Sequence, residues 1–169
     1  VTPAMFEAYF KFAFVRNPWD RLVSEYKYRR LASKYDFKTF VFRHFPRPAW
    51  RDEYCHVIPQ YDFLYDAQGN RLVDYVGKFE NLQEGVDTVC ARLGLPARPL
   101  KHRNVSLSLL NRRDIGPYHV LKTLRDSLSL RQKRNTFSHY TEYYDQETIE
   151  YVSRSYIKDI EAFGYRFGQ

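Results

Sequence analysis

The chain has 169 residues, of which 44% are hydrophobic and 18% aromatic, and this is enough to build the core of one globular domain. Its 27 Lys and Arg residues outnumber 20 Asp and Glu residues, so the net charge of +7 favours anionic ligands such as nucleotides, nucleic acids or acidic polysaccharides. Cys55 and Cys90 lack the spacing of a zinc site or a redox pair, and no apolar run is long enough to span a membrane. We therefore expect a single domain over residues 1–169, with reduced cysteines, no metal site and no stable membrane insertion.

The first predicted elements are a buried strand and a helix that follows it directly. Residues 11–16 read KFAFVR, a short aromatic and β-branched run that is typical of a buried strand. Asn17 is a favourable N-cap, and Pro18 suits the first helical position. Four apolar side chains then share one face of the helix: Trp19, Leu22, Val23 and Tyr26.

The next segments predict a helix, a hairpin and a second buried strand. Residues 36–45 form a helical pattern that Asp36 opens and Pro46 ends. Residues 61–65 and 72–76 are strand-like runs on either side of Gln68-Gly69-Asn70, which favours a hairpin. The second run continues to Phe79, and we expect it to reach the core sheet.

The remaining segments are mostly helical. Residues 82–93 predict a helix that ends at Gly94, and residues 145–162 predict a closing helix that ends at Gly164. Between them, residues 96–117 read as a loop and residues 118–130 as a helix. Strands that alternate with helices predict an α/β fold with a mainly parallel sheet flanked by helices.

The junction between the first strand and its helix carries the most chemical information. The strand brings Arg16 to its carboxyl end, which is the edge where ligands bind in α/β sheets, and a capped helix begins there. The planar guanidinium of Arg16 and the hydroxyl of Ser24 together predict a two-point phosphate clamp. The alternative is that Arg16 merely caps the sheet edge beside an exposed helical serine.

The pattern RNPxxRxxS after a hydrophobic strand resembles the 3′-phosphate-binding motif of sulfotransferases that use 3′-phosphoadenosine 5′-phosphosulfate (PAPS). Residues 16–24 match it as RNPWDRLVS. The resemblance implies that Arg16 and Ser24 hold the 3′-phosphate of PAPS. Arg21 completes the pattern among the cofactor-binding residues, although we expect a structural role for it.

Further segments are similar, in order, to the carbohydrate sulfotransferases, which include Golgi and bacterial members. They are HVIPQ at residues 56–60, DYVGKFENL at residues 74–82 and the stretch from Tyr140 to Tyr165. The resemblance therefore implies a fold related to P-loop nucleotide kinases. It also implies transfer of a sulfuryl group from PAPS, without a metal, to a hydroxyl of a carbohydrate or glycolipid.

One more segment resembles the part of the family that approaches the nucleotide. It reads HRNVS at residues 102–106, and it makes Asn104 and Ser106 candidate cofactor contacts. A longer insertion than usual, over residues 107–139, follows it. Within the insertion lie three cations that either reach the nucleotide or an acidic glycan, or form a solvated face: Arg131, Lys133 and Arg134.

The family also uses an upstream strand, loop and helix that grip the 5′-phosphosulfate, and this chain contains no matching loop. We therefore expect that the N-terminal part of the enzyme is missing and that the catalytic base lies upstream of Val1. His56 is a candidate base within the chain because its ordinary pKa of about 6.5 suits proton transfer at neutral pH. The alternative is that His56 and Gln60 shape the acceptor cleft or bind a loop. Glu80 either pairs with a cation or acts on substrate.

Two other functions remain open at this stage. A basic nucleic-acid-binding module would explain the charge and the aromatic residues but not the ordered motifs, so we expect no nucleic-acid partner. A nucleotide kinase or a non-catalytic relative would share the fold, which does not determine the chemistry. The low cysteine content and the lack of an anchor favour a bacterial cytoplasmic protein, with a trimmed Golgi lumenal domain as the alternative.

Overall fold

The computed structural model describes residues 2–46, 52–101 and 137–169. Eight helices lie in these ranges: α1 (Pro3–Ala8), α2 (Pro18–Tyr28), α3 (Phe37–Arg43), α4 (Asp52–Cys55), α5 (Tyr61–Leu64), α6 (Leu82–Arg92), α7 (Gln146–Ser155) and α8 (Ile157–Phe163). Two strands, β1 (Phe12–Val15) and β2 (Tyr75–Lys78), and three 3₁₀ turns, Leu31–Ser33, Phe79–Asn81 and Tyr140–Tyr143, complete the described elements.

Several predictions lie outside the described residues. They are the helix over 118–130, most of the loop over 96–117, and the roles of Asn104, Ser106, Arg131, Lys133 and Arg134. Val1 also lies outside them, and the catalytic base expected upstream of Val1 therefore stays a prediction.

The two strands are parallel, as the alternating pattern predicts. Their register runs from Phe12 opposite Tyr75 to Val15 opposite Lys78. Helices α2 to α5 lie between the strands along the chain, so their connection is a long crossover of the kind that parallel pairing requires. The described part of the chain therefore has α/β character, and the carboxyl ends of both strands meet at one edge of the sheet.

The predicted strand and capped helix at residues 11–28 are confirmed. The Asn17 side chain accepts hydrogen bonds from the backbone N–H groups of Trp19 and Asp20, and Pro18 occupies the first helical position. The predicted apolar face of α2 is buried, whereas Tyr28 on the opposite side is 77% exposed. Asp36 caps α3 through the backbone N–H of Thr39, as its position predicts.

Helix α6 lies close to the sheet because two glycines make room for an aromatic ring. A Cβ atom on Gly77 would lie 2.5 Å from Cε1 of Phe14, and one on Gly85 would lie 2.6 Å from the same atom. Both distances are shorter than a packed core tolerates, so the Phe14 ring occupies the space that larger residues would need. At the other end of α6, Gly94 has a φ of +67°, consistent with its predicted role after the helix.

The hairpin prediction is wrong in both strands, because the first run is helical and the second is a strand only from Tyr75 onward, in β2, which pairs with β1. Tyr61–Leu64 forms a single helical turn, and one antiparallel bridge joins Tyr65 to Arg71. The turn is formed as its residues suggest, because Asp66 accepts the backbone N–H groups of Gln68 and Asn70. The helical turn arises because the buried carboxylate of a distant residue, Asp159, accepts the backbone N–H groups at its start.

The predicted closing helix is also corrected, because it divides into α7 and α8 at Tyr156. This residue has a φ of −118° and a ψ of 27°, which ends the first helix. Its ring is buried, and its hydroxyl donates to the backbone oxygen of Val57 at 2.7 Å. Gly164 then ends α8 in the left-handed conformation, as predicted.

The core lies between α2, α3, α7 and the segment around Val57. Its most deeply buried side chains are mainly aliphatic and aromatic: Val15, Leu22, Val23, Phe40, Val41 and Val152. Around them, edge-to-face aromatic pairs join α3 to the turn at residues 140–143, as between Phe37 and Tyr143. None of the helices among the described residues combines the length and the apolar character that a membrane crossing would need.

Candidate functional site

The candidate site lies at the edge of the sheet where both strands end. Arg16 directly follows β1, and Phe79 and Glu80 directly follow β2. The two segments are joined at this point, because the backbone N–H of Asn17 donates to Oε1 of Glu80 at 2.7 Å. Side chains from both strand ends therefore meet beside the N-terminus of α2.

The structure brings Arg16 and Ser24 together, eight residues apart in the sequence. Nη1 of Arg16 donates to Oγ of Ser24 at 3.1 Å, and Nε donates to Oδ2 of Asp20 at 2.7 Å. Ser24 and Asp20 are one helical turn apart on α2, so the guanidinium lies along one face of that helix. The ring of Phe79, directly after β2, contacts the guanidinium, with its centroid 4.7 Å from Cζ.

These contacts leave part of the guanidinium available to a ligand. An arginine carries five N–H donors, and two are used by Asp20 and Ser24, so three have no partner among the residues that the structure describes. The side chain is 28% exposed. Asp20 offsets one positive charge, but it binds the Nε side, so the terminal nitrogens can still form the paired contacts that a phosphate accepts.

Asn17 is the buried centre of this edge, with only 1% of its surface exposed. Besides capping α2, its Nδ2 group donates to the hydroxyl of Tyr140 at 3.3 Å and to the backbone oxygen of Arg166 at 3.2 Å. Every polar atom of the side chain therefore has a partner, as burial requires. These bonds attach the C-terminal segment to the start of α2.

The Glu80 carboxylate pairs with neutral donors, and not with a cation, among the residues that the structure describes, and a role toward substrate remains a prediction. Its two oxygens accept from the Asn17 backbone and from the hydroxyl of Tyr165, the latter at 3.2 Å. Burial is the largest cause of a raised pKa of Tyr165, and the neighbouring Glu80 carboxylate raises it further. The phenol therefore remains a hydrogen-bond donor at neutral pH. Within the described residues, Glu80 thus holds the backbone after Arg16 in place.

Gln60 lies directly against the backbone of Arg16. Its Oε1 accepts from the Arg16 N–H at 2.9 Å, and its Nε2 donates to the Arg16 carbonyl at 2.8 Å. The second Nε2 proton goes to Oδ2 of Asp159 at 3.2 Å. Both Nε2 protons are therefore used, whereas Oε1 accepts only one bond, and a contact between Gln60 and the carbohydrate or glycolipid substrate remains a prediction.

Arg21 faces a different part of the structure from Arg16. Its two terminal nitrogens donate to the carbonyl oxygens of Ile58 at 2.7 Å and His56 at 2.8 Å. The guanidinium therefore holds the segment before Gln60 against α2. This geometry agrees with the structural role expected for Arg21, and direct contact with a cofactor remains a prediction.

His56 forms a pair with a carboxylate on α2. Its Nδ1 lies 3.2 and 3.1 Å from the two oxygens of Glu25, whose side chain is only 9% exposed, whereas His56 itself is 48% exposed. A histidine oriented by a carboxylate can accept a proton on its other nitrogen. The proposed catalytic role and the alternative role in holding a loop are both compatible with this arrangement.

Sequence reasoning missed three residues of the site. Asp20 lies four residues after Arg16, a spacing that suits an ion pair and that could have identified it. Phe79 was considered only as a strand residue. Asp159 lies in the segment that resembles the family, but its contact with Gln60, 99 residues away, gave no signal in the sequence.

The part of the chain that the structure describes contains no group of three or more His, Cys, Asp or Glu side chains arranged for a metal ion. The profile described as "Sulfotransferase family" matches residues 2–166. An uncharacterized protein of Archaeoglobus fulgidus is 37% identical over 93 residues, which are 54% of this chain and 73% of that protein. No solved structure matches the chain.

Proposed function

The chain belongs to the sulfotransferase family, and on this premise we propose that it binds PAPS through Arg16 and Ser24 and serves sulfuryl transfer to a hydroxyl of a carbohydrate or glycolipid. We also propose that residues 1–169 form part of one sulfotransferase domain. PAPS would supply the sulfuryl group and a nucleotide leaving group. The residues described above would bind the 3′-phosphate end of that nucleotide.

The observation that carries the proposal is the 3.1 Å hydrogen bond between Arg16 and Ser24 at the carboxyl edge of two parallel strands. This hydrogen bond supports the proposal that Arg16 and Ser24, the first and last residues of the RNPxxRxxS pattern, bind the same phosphate. The Ser24 oxygen accepts from Arg16 and keeps its own proton, so it can still donate to an anion. The guanidinium donors that have no partner among the described residues would add charge-assisted bonds, which are stronger than bonds between neutral groups.

Other residues of the site would keep this arrangement in place. Asp20 and Phe79 limit the orientations of the Arg16 guanidinium before a ligand arrives, which reduces the entropy cost of binding. Glu80 and Gln60 hold the backbone on either side of the Arg16 carbonyl. We propose that Asn104 and Ser106 complete the nucleotide contacts, and that Gln60 and His56 lie toward the acceptor, with His56 as a candidate base.

The cofactor assignment is tested by the melting temperature of the full chain with 3′,5′-ADP or with ADP at equal concentration. We expect a clear increase with 3′,5′-ADP and a much smaller one with ADP, because only the first nucleotide offers a 3′-phosphate to Arg16. Saturation at 100 times the dissociation constant would stabilise the fold by about 2.7 kcal/mol. Equal increases would refute the assignment.

The acceptor class has its own test. PAPS labelled in its sulfuryl group would be incubated with the full-length enzyme and with glycan, glycolipid and simple phenol acceptors. We expect label in the glycan or glycolipid products, and transfer to phenols alone would overturn the acceptor assignment. Steeply salt-dependent binding of oligonucleotides without a response to 3′,5′-ADP would favour a nucleic-acid-binding module instead.

A further inference from the structure

Asp159 is a fully buried carboxylate, with 0% of its surface exposed, although it lies outside the phosphate site. A buried charge is costly unless hydrogen bonds compensate it. Three bonds do so here: Oδ2 accepts from the Gln60 N–H at 2.9 Å and from Gln60 Nε2 at 3.2 Å, and Oδ1 accepts from the Tyr61 N–H at 2.8 Å. Two of the three bonds therefore come from one residue, Gln60.

These bonds determine the orientation of the Gln60 side-chain amide. An amide has one accepting and one donating end, and only the donating end can face the Asp159 carboxylate without repulsion. Nε2 must then lie beside Asp159 and the Arg16 carbonyl, and Oε1 beside the Arg16 N–H, as observed. A reversed amide would place oxygen against oxygen at two of these contacts.

The Gln60 amide binds the side of β1 that faces away from β2. The Lys11 carbonyl accepts from the N–H groups of Asp74 and Tyr75, so Lys11 faces the β2 side. The N–H and C=O groups of successive residues point to opposite edges of a strand. Arg16 lies five residues after Lys11, an odd number, so its backbone groups face away from β2. The Gln60 amide thus binds the backbone of Arg16 as a neighbouring strand would. Arg16 is also the residue whose guanidinium donates to Ser24.

We propose that Asp159 is a positioning residue that acts through Gln60 and sets the backbone of Arg16 for binding of the 3′-phosphate of PAPS. The inference rests on the proposed function. Asp159, Gln60 and Arg16 come from three distant parts of the sequence. The hydrogen bonds from Asp159 through Gln60 end at the Arg16 backbone, and the guanidinium of that residue keeps three donors without a partner among the described residues. Asp159 does not touch the nucleotide in this scheme.

The test measures phosphate selectivity, defined as the dissociation constant for 5′-AMP divided by that for 3′,5′-ADP, in the full chain. Asp159→Asn offers an amide where Gln60 needs an acceptor, so we expect the Gln60 amide to reverse and selectivity to fall about tenfold. The affinity for 5′-AMP, which lacks the 3′-phosphate, should hardly change. If Asp159→Asn does not fold, Gln60→Met provides the test, because it removes the side-chain contacts with Arg16 directly. We expect the same loss of selectivity in that variant.

Tyr156→Phe is the matched control for stability. It removes one buried hydrogen bond, from Tyr156 to the Val57 carbonyl, in the same helical region as Asp159. We expect a lower melting temperature with unchanged selectivity. An equal loss of selectivity in this variant would overturn the inference, because general loosening would then explain the effect.

A double-mutant cycle separates this inference from the function on which it rests. In the Arg16→Lys background, Asp159→Asn should cause little further loss of selectivity, because both changes act on one contact. If Arg16→Lys loses selectivity while Asp159→Asn and Gln60→Met keep it, the positioning role is wrong and the phosphate site stands. If Arg16→Lys keeps full selectivity, the proposed function itself is wrong.

Discussion

Replacing Arg16 with lysine keeps the positive charge but removes the planar guanidinium. In the structure this group donates to Asp20 and Ser24 and lies against the ring of Phe79. An ammonium is a compact point charge that cannot make the same paired contacts with a phosphate. We therefore expect Arg16→Lys to weaken binding of 3′,5′-ADP although the net charge of the protein is unchanged.

The size of the effect follows from the contacts that are lost. One charge-assisted hydrogen bond contributes roughly 1.5–3 kcal/mol, which corresponds to about a ten- to hundredfold weaker affinity. Ser24→Ala should cost less, on the order of 1 kcal/mol, since it removes one bond from a neutral hydroxyl.

Arg21→Lys is the matched control, because Arg21 lies on the same helix and its guanidinium donates only to the described carbonyls of Ile58 and His56. It should lower the melting temperature while leaving the dissociation constant for 3′,5′-ADP close to that of the wild type. Calorimetric titration gives the constants, and thermal melting checks that each variant is folded. If Arg16→Lys and Ser24→Ala both bind like the wild type, the phosphate clamp does not exist.

Three further predictions concern stability and the cysteines. Gly85→Ala should destabilise the fold by about 1–3 kcal/mol in urea unfolding, because its Cβ would lie 2.6 Å from the Phe14 ring; the cost should shrink in a Phe14→Leu background, and an equal cost there would contradict the explanation. Lys38 and Thr148 lower the pKa of Asp145 from 3.8 to about 2, so its ionised form stabilises the fold above pH 4 and this contribution is lost as the pH falls towards 2. The difference in urea midpoint between wild type and Asp145→Asn should therefore shrink from pH 6 to pH 2, and a constant difference would contradict the assignment. Both cysteines should be free thiols that an alkylating reagent modifies without a reducing agent, and the exposed Cys55 should react before the half-buried Cys90. A mass showing that neither thiol had reacted would contradict this.

The local predictions that were correct concern structure that depends only on residues within one short segment of the sequence. Asn17 and Asp36 cap their helices because a short polar side chain can reach N–H groups two or three residues later. Gly94 and Gly164 follow helices because a residue without Cβ adopts the left-handed conformation at little cost. The spacing of Arg16 and Ser24 also carries local information, since a residue preceding a helix and one on its second turn can share a face.

The wrong predictions were those in which a distant residue determined the local structure. Tyr61–Leu64 has the composition of a strand, but the Asp159 carboxylate binds the first N–H groups of a helical turn there. The closing helix has a continuous helical period, yet Tyr156 leaves the helical conformation where its hydroxyl binds the Val57 carbonyl. In both cases a buried polar side chain forms its hydrogen bond with a backbone group 98 or 99 residues away in the sequence.

The sequence by itself determined the strand and helix around Arg16, the parallel character of the sheet and the family, because each follows from residues close together or from an ordered set of motifs. Only the tertiary structure decided how Arg16 is held. The Gln60 amide, the Glu80 carboxylate and the Phe79 ring reach it from 44 or more residues away. Periodicity and capping describe neighbours along the chain, whereas these contacts depend on how the segments pack and on which buried polar groups still need a partner.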